Sequence, residues 1–151
     1  MTIIVWDGTT LAADKRAIQA DLHRTVTKIR KIRGHLCGCT GDLDLAQEMF
    51  EWFENGATKE TLPACQRTDD KWQTFVVVTP DKRFLKYERS HLPIDYTEEV
   101  LYRGWYACGS GRDFAYGAMH MGANARLAVE IASHYCGSCG SGVDTLTLED
   151  V

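Results

Sequence analysis

No stretch of the chain approaches the roughly twenty consecutive apolar residues that a bilayer-spanning helix needs, and no charged segment followed by an apolar run opens it. Neither a membrane protein nor an exported one is expected, so the reading is cytosolic. Basic residues are not in excess either: 17 Lys and Arg stand against 21 Asp and Glu, a formal net charge of −4. Phosphate affinity rests on clustered Lys and Arg, so nucleic-acid binding is not the expected task. The one basic run, Lys28-Ile29-Arg30-Lys31-Ile32-Arg33, alternates like a strand rather than a basic arm. Without an export signal, the six cysteines (Cys37, Cys39, Cys65, Cys108, Cys136 and Cys139) are expected to be reduced thiols and not a disulfide framework.

What the chain does have is enough apolar content, 44% of 151 residues, to bury one core, and one domain over residues 1–151 is expected. Strand-like stretches come first, at about 2–7, 10–16, 25–32 and 36–39. Leu43, Leu45, Ala46, Met49, Phe50 and Phe53 then recur at helical spacing, with Asp42 or Asp44 as N-cap and Gly56 as terminator. Residues 55 to 72 read as a surface connection with at most a short helix. Thr74–Thr79 and Arg83–Glu88 around Pro80-Asp81-Lys82 make the clearest hairpin. A short strand from Trp105 to Cys108 follows, then a helix capped by Ser110, a break at Gly122, and a helix capped by Asn124 with an apolar stripe of Ala125, Leu127, Ala128, Ile131 and Ala132. A Gly-rich turn, Gly137 to Gly142, leads into a last strand from Val143 to Leu148. This order suggests an α+β protein of two stacked sheets with helices on the outer faces.

Position 2 carries the most chemistry. If Met1 is trimmed, Thr2 presents a hydroxyl nucleophile and a free α-amine on one residue, and an amine titrating near roughly 7.7–8.0 can act as general base near neutral pH. Taken singly, the other candidates have plainer explanations: Asp14 a turn carboxylate, Lys28 a solvated strand lysine, Gly38 and Gly41 turn glycines, Ser110 an N-cap. Cys37-x-Cys39 and Cys136-x-x-Cys139 have spacings that zinc thiolates use, but such pairs usually sit on turns rather than within a strand, so no metal is expected. His35, His120 and His134 have no acidic partner at motif spacing and read as structural or exposed.

Several segments in a fixed order carry a resemblance. Thr2-Ile3-Ile4-Val5 comes first, then Leu11-Ala12-Ala13-Asp14 and Lys28-Ile29-Arg30-Lys31. Gly38-Cys39-Thr40-Gly41-Asp42 follows and leads into a helix ending Phe50-Glu51-Trp52-Phe53-Glu54; Cys108-Gly109-Ser110-Gly111 and the stretch from Ser138 to Asp144 complete the set. Over nearly its whole length the chain resembles the N-terminal nucleophile hydrolases of the proteasome β-subunit type, and most closely the HslV-like peptidases. The resemblance implies a four-layer αββα sandwich and threonine-peptidase activity through an acyl-enzyme on Thr2. It implies Lys28 as the cation favouring the Thr2 alkoxide, Asp14 as the carboxylate holding that ammonium in place, and the Gly38 N–H as oxyanion donor. It also implies Ser110 and Ser138 hydrogen-bonding around the terminal amine. Val26 and Arg30, sharing a strand face with Lys28, would border the substrate pocket, so acidic side chains should be favoured there. No cofactor is implied. Peptide or protein substrates, a homo-oligomer and an ATPase partner are, with no nucleic acid or membrane. This chain has Tyr135 or Cys136 where many relatives place an aspartate, and its connection from Asn55 to Lys71 is shorter than in HslV-type chains. The other reading is an inactive member that keeps Met1 and serves as an interaction module.

Overall fold

A computed structural model describes residues 2–41, 43–61, 63, 73–89, 96–98 and 104–149. Among these residues, eleven strands and three α-helices run in the order β1 (Ile3–Trp6), β2 (Thr10–Asp14), β3 (Arg16–Gln19), β4 (Leu22–Thr25), β5 (Ile29–Ile32), β6 (His35–Cys39), α1 (Leu43–Glu54), β7 (Gln73–Val78), β8 (Phe84–Arg89), β9 (Tyr96–Glu98), β10 (Tyr106–Gly109), α2 (Arg112–His120), α3 (Ala125–Tyr135) and β11 (Val143–Thr147), with a 3₁₀ turn at Lys59–Thr61. One antiparallel sheet has the order β10-β1-β2-β11, the other β5-β6-β7-β8-β9, and β3-β4 forms a separate two-stranded ribbon.

Side-chain alternation along the strands sorts the buried residues into three layers of core, and three cores between elements mean four layers. Ile3, Val5 and Ala12 face α2 and α3, where they meet Met119, Ala128, Val129 and Ala132. Ile4, Leu11 and Ala13, one residue out of phase, face Ile29, Leu36, Val76 and Val78 of the other sheet. Cys37, Phe75 and Val77 face away from that interior, onto Met49, Phe50 and Phe53 of α1. The result is the αββα sandwich of two antiparallel sheets flanked by helices.

Local chemistry fixes the joints. Asp7 accepts the N–H groups of Thr9 and Thr10 at 2.9 and 2.8 Å, closing the β1-β2 turn, and its other oxygen accepts Ala125 N–H at 2.8 Å at the start of α3. Asn124 caps α3 as expected, accepting Leu127 N–H at 2.9 Å. Two expectations fail nearby. The cap of α2 is Gly111, without a side-chain bond, so Ser110 lies one residue before the helix and its hydroxyl is used elsewhere. The expected strand 10–16 ends at Asp14, where the chain turns into the β3-β4 ribbon; its Ile18 and Leu22 are exposed, so no apolar alternation marks it in the sequence. The strand expected over 25–32 is regular only from Ile29, and the strand β9 falls in a stretch expected to be polar loop. Of the two caps expected for α1, Asp42 lies outside the described residues and Asp44 sits inside the first turn.

Candidate functional site

Asp14 ends β2 fully buried, and a carboxylate there must find donors or carry a large desolvation cost. It has four. Its Oδ1 accepts the Lys28 ammonium at 2.8 Å and the Ile3 N–H at 3.1 Å. Its Oδ2 accepts the N–H groups of Gly140 at 3.0 Å and Arg16 at 3.2 Å. Lys28 is only 5% exposed, so the ion pair is a buried one. Residues 26–28 precede the regular part of β5: Val26 N–H bonds to Lys15 O, and Lys28 O accepts Cys39 N–H, tying the approach to β5 to the end of β2 and to β6.

Thr2 is buried directly before Ile3, so the shared carboxylate oxygen sits one peptide unit from it. Its own neighbour across β1-β10 is the end of Cys108-Gly109-Ser110. Gly109 has φ +102°, and a Cβ there would fall 1.9 Å from Thr2 O; only glycine permits that approach. Ser110 Oγ donates to Thr2 O at 3.5 Å and lies 3.1 Å from Ser138 Oγ. Arg16 braces the turn that carries Ser138, donating to Gly137 O at 3.0 Å and to Ser141 Oγ at 3.2 Å. Thr2, Asp14, Lys28, Ser110 and Ser138, scattered over 137 positions of sequence, are thus brought to one end of the sandwich.

Thr2 lines a cleft of about 600 Å³ between the sheets. Thr40 and Gly41 at the end of β6, Thr74, Lys86, Tyr106 and Cys108 form its walls, with Arg112 and Tyr116 from α2. Two cations and no carboxylate face it among the described lining residues. Three expected site residues stand elsewhere. Gly38 is in the middle of β6, opposite Ile29 and Val76, where a Cβ would meet Ile29 and Ile4 at 3.1 Å; it is a packing glycine between the sheets. Arg30 lies exposed over the Phe50 ring, 4.5 Å from its centre, and bonds Gln47 at 2.9 Å, because Ile29 takes the inward face of β5 and turns Arg30 toward α1. Val26 is partly buried and, like Arg30, is not on the cleft wall.

The parity of β6 explains the displaced glycine. Thr40 N–H bonds to Thr74 O on the β7 side, and Gly38, two residues earlier, faces the same side, toward Val76. Cys39 N–H bonds back to Lys28 O, so the next amide on that side is Gly41, beyond the end of β5 and on the cleft wall. Sequence spacing alone does not carry this parity.

Behind Ser110 lie two thiols that the sequence reading set aside. Cys139 is fully buried with its Sγ 3.6 Å from Ser110 Oγ, and Cys136 Sγ lies 3.2 Å from Ser138 Oγ and 3.7 Å from Ser110 Oγ. The Ser138 hydroxyl, helped by that of Ser110, favours the thiolate and lowers Cys136 to about 7, while burial pushes Cys139 up to about 11 and Cys108 up to about 12. The cysteine pairs weighed as a zinc site do not converge: Cys37 and Cys39 face α1, and Cys139 packs under α3. No cluster of three or more metal-ligating side chains occurs among the described residues, and no described helix is long and apolar enough to cross a membrane.

No family model matches the chain, and no curated protein matches it in sequence. Solved structures match it in shape over nearly its full length. BPH from Thiobacillus denitrificans, in complex with epoxomicin, superposes with a TM-score of 0.68 at 17% identity, covering 99% of each chain. Anbu, described as an ancestral beta-subunit, from Yersinia bercovieri gives 0.67 at 11% identity over 97% of this chain and 80% of its own. The Anbu complex of Pseudomonas aeruginosa, solved as a helical assembly, gives 0.65 at 11% identity with the same coverage. At these identities the likeness is one of fold alone, the αββα sandwich with two antiparallel sheets between helices.

Proposed function

We propose that the chain is a threonine-type N-terminal nucleophile hydrolase of the proteasome and HslV type, which cleaves peptide bonds through an acyl-enzyme on Thr2 once Met1 is removed. The observation that carries this reading is the single buried oxygen of Asp14 shared between the Lys28 ammonium and the amide next to Thr2. A threonine hydroxyl is a poor nucleophile at its own pKa and needs both a base and a nearby positive charge. In this reading the freed α-amine of Thr2 takes the hydroxyl proton and Lys28 stabilises the forming alkoxide. The alkoxide attacks a peptide carbonyl bound in the cleft, and the Gly41 N–H donates to the developing oxyanion, the role expected of Gly38. The ammonium of Thr2 then protonates the leaving amine, and water, deprotonated by the same amine, releases the acyl group. Ser110 and Ser138 orient the amine. No cofactor takes part.

The helical assembly of one fold neighbour supports a homo-oligomer. In this reading the oligomer shields such sites, works in the cytosol and is fed by an ATPase partner. Light scattering of the purified protein tests the assembly. Intact-mass spectrometry tests the chemistry: a mass lacking methionine, with covalent capture of Thr2 by an epoxyketone such as epoxomicin and loss of both capture and peptide cleavage in Thr2→Ala, is the expected result. A retained Met1 with no capture would instead leave a fold kept as an interaction module.

A further inference from the structure

Cys136 and Cys139 are the two ends of a tight turn, Cys139 N–H donating to Cys136 O at 3.1 Å. Such a turn holds its end Cα atoms within about 7 Å, and disulfides span Cα separations of about 4.4–6.8 Å. The two Sγ atoms are already 3.6 Å apart. Their surroundings divide the work of a reactive dithiol. Cys136 is partly exposed, so a small oxidant can reach it, and the hydroxyls of Ser138 and Ser110 face its sulfur. Cys139 is fully buried behind it and is reached only from Cys136. Of the other described cysteines, Cys37 and Cys39 are buried within β6, and Cys108, on the cleft wall, is buried within β10 without a second thiol hydrogen-bonded to it among the described residues.

We infer that Cys136 and Cys139 form a thiol-modification site for small disulfides, with Cys136 as the attacking and Cys139 as the resolving cysteine. The Cys136 thiolate attacks one sulfur of a glutathione-type disulfide, the small molecule's S–S bond breaks, and one thiolate leaves. Cys139 then gives its proton to solvent and attacks the Cys136 sulfur of the mixed disulfide. The second small thiolate departs, so two protein thiols are oxidised by two electrons and one small disulfide is reduced to two thiols. Closing the bond draws the sulfurs to about 2.05 Å and removes a thiolate acceptor from Ser110 and Ser138, whose hydroxyls stand beside Thr2. Slower acylation of Thr2 in the oxidised form follows, a consequence that rests on the hydrolase reading; the thiol chemistry itself does not.

The test is to treat the reduced full-length protein with oxidised glutathione near pH 7, quench with acid, and map thiols by mass spectrometry. The expected product has lost two hydrogens and carries a Cys136–Cys139 link. Cys139→Ser accumulates one glutathione on Cys136, and Cys136→Ser and Cys136→Ala, checked for folding by circular dichroism, form neither product. At pH 7 the larger thiolate fraction, about fifteenfold, is offset by about fivefold lower nucleophilicity, so Cys136 should react about threefold faster than an ordinary exposed thiol. A stable glutathione adduct on the unsubstituted protein, a first reaction at another cysteine, or unchanged oxidation in the Cys136 variants would overturn the assignment. Since the readout is mass and not cleavage, an inactive Thr2 leaves this result untouched and the reverse also holds.

Discussion

Replacing Asp14 by Asn changes one oxygen to an NH₂ group and leaves the shape alone, yet the four donors around the carboxylate make the result severe. An amide has one acceptor where the carboxylate offers two. If the Asn oxygen takes the Oδ2 position it serves Gly140 and Arg16 N–H, and its NH₂ then points at the Lys28 ammonium and Ile3 N–H; the opposite orientation strands the other pair. Lys28 is left as a buried cation without its carboxylate, and removing one partner of a buried pair costs about 3–5 kcal/mol. That is a large share of the roughly 5–15 kcal/mol that holds a typical domain together. In urea titrations followed by circular dichroism, with a slope of about 2 kcal/mol per molar, the midpoint should fall by about 1.5–2.5 M. The double variant Asp14→Asn/Lys28→Met separates charge from hydrogen bonding. With the ammonium gone, the amide can satisfy Gly140 and Arg16 and strand only Ile3 N–H, at a cost of about 1–3 kcal/mol. The double variant should therefore be about 2 kcal/mol more stable than Asp14→Asn alone, and inactive toward peptides. A single variant within about 1 kcal/mol of the unsubstituted protein, or a double variant no better than the single, would refute the account of this site as a buried charge pair.

Gly38→Ala should cost about 1–3 kcal/mol in the same titration, because its Cβ meets Ile29 and Ile4 at 3.1 Å, while kcat per folded molecule is retained. A drop of about a hundredfold or more in kcat with the stability unchanged would contradict the packing role given to Gly38. Gly109→Ala places a methyl 1.9 Å from Thr2 O at φ +102°, so β1 must shift at its first residue; soluble protein that still captures an epoxyketone at the original rate would contradict the geometry. Arg112→Glu on the cleft wall should lower kcat/KM for peptides with acidic side chains about tenfold, a loss of about 1.4 kcal/mol, and less in high salt. Equal cleavage of acidic and basic fluorogenic peptides by the unsubstituted protein would remove this charge preference.

The elements legible in the sequence are those whose burial is regular. Phe75 to Val78 is apolar because alternate residues face α1 and the inter-sheet core, so both parities are buried and the strand announces itself. The Asn124 cap of α3 is equally local, while the stripe expected there is met only by Ala125, Ala128 and Ala132: Leu127 is exposed, Ile131 half-buried, and Val129 takes the buried face instead. Among the site residues that the structure places away from the cleft, Arg30 and Gly38 turn on register. Arg30 was assigned to the pocket by counting two from Lys28, but the pleat that such counting assumes begins only at Ile29. Gly38 takes the oxyanion role from the resemblance alone, whereas which amide around β6 faces the cleft depends on the side it points to, set by its bonding to Lys28 and Thr74. The β3-β4 ribbon carries too little buried apolar surface to leave a pattern at all.

Asp14 shows why the candidate site was harder to derive from local rules than the sandwich that holds it. Its partners come from the first residues of β1, from Arg16 past a turn, from the irregular approach to β5 and from Gly140 before β11, and no two of these segments are linked by a local periodicity. The same fact has a physical consequence. A slip of one residue in any of the four would leave a buried donor or charge without its partner, at a cost comparable to losing a large core side chain. The carboxylate therefore selects one mutual register for segments that the hydrophobic pattern alone would allow to slide. Holding Lys28 on the carboxylate oxygen that also takes the Ile3 N–H, next to Thr2 in sequence, and pinning the strand ends together are then one constraint, and any variant that relieves the buried charge must also loosen the geometry on which cleavage would depend.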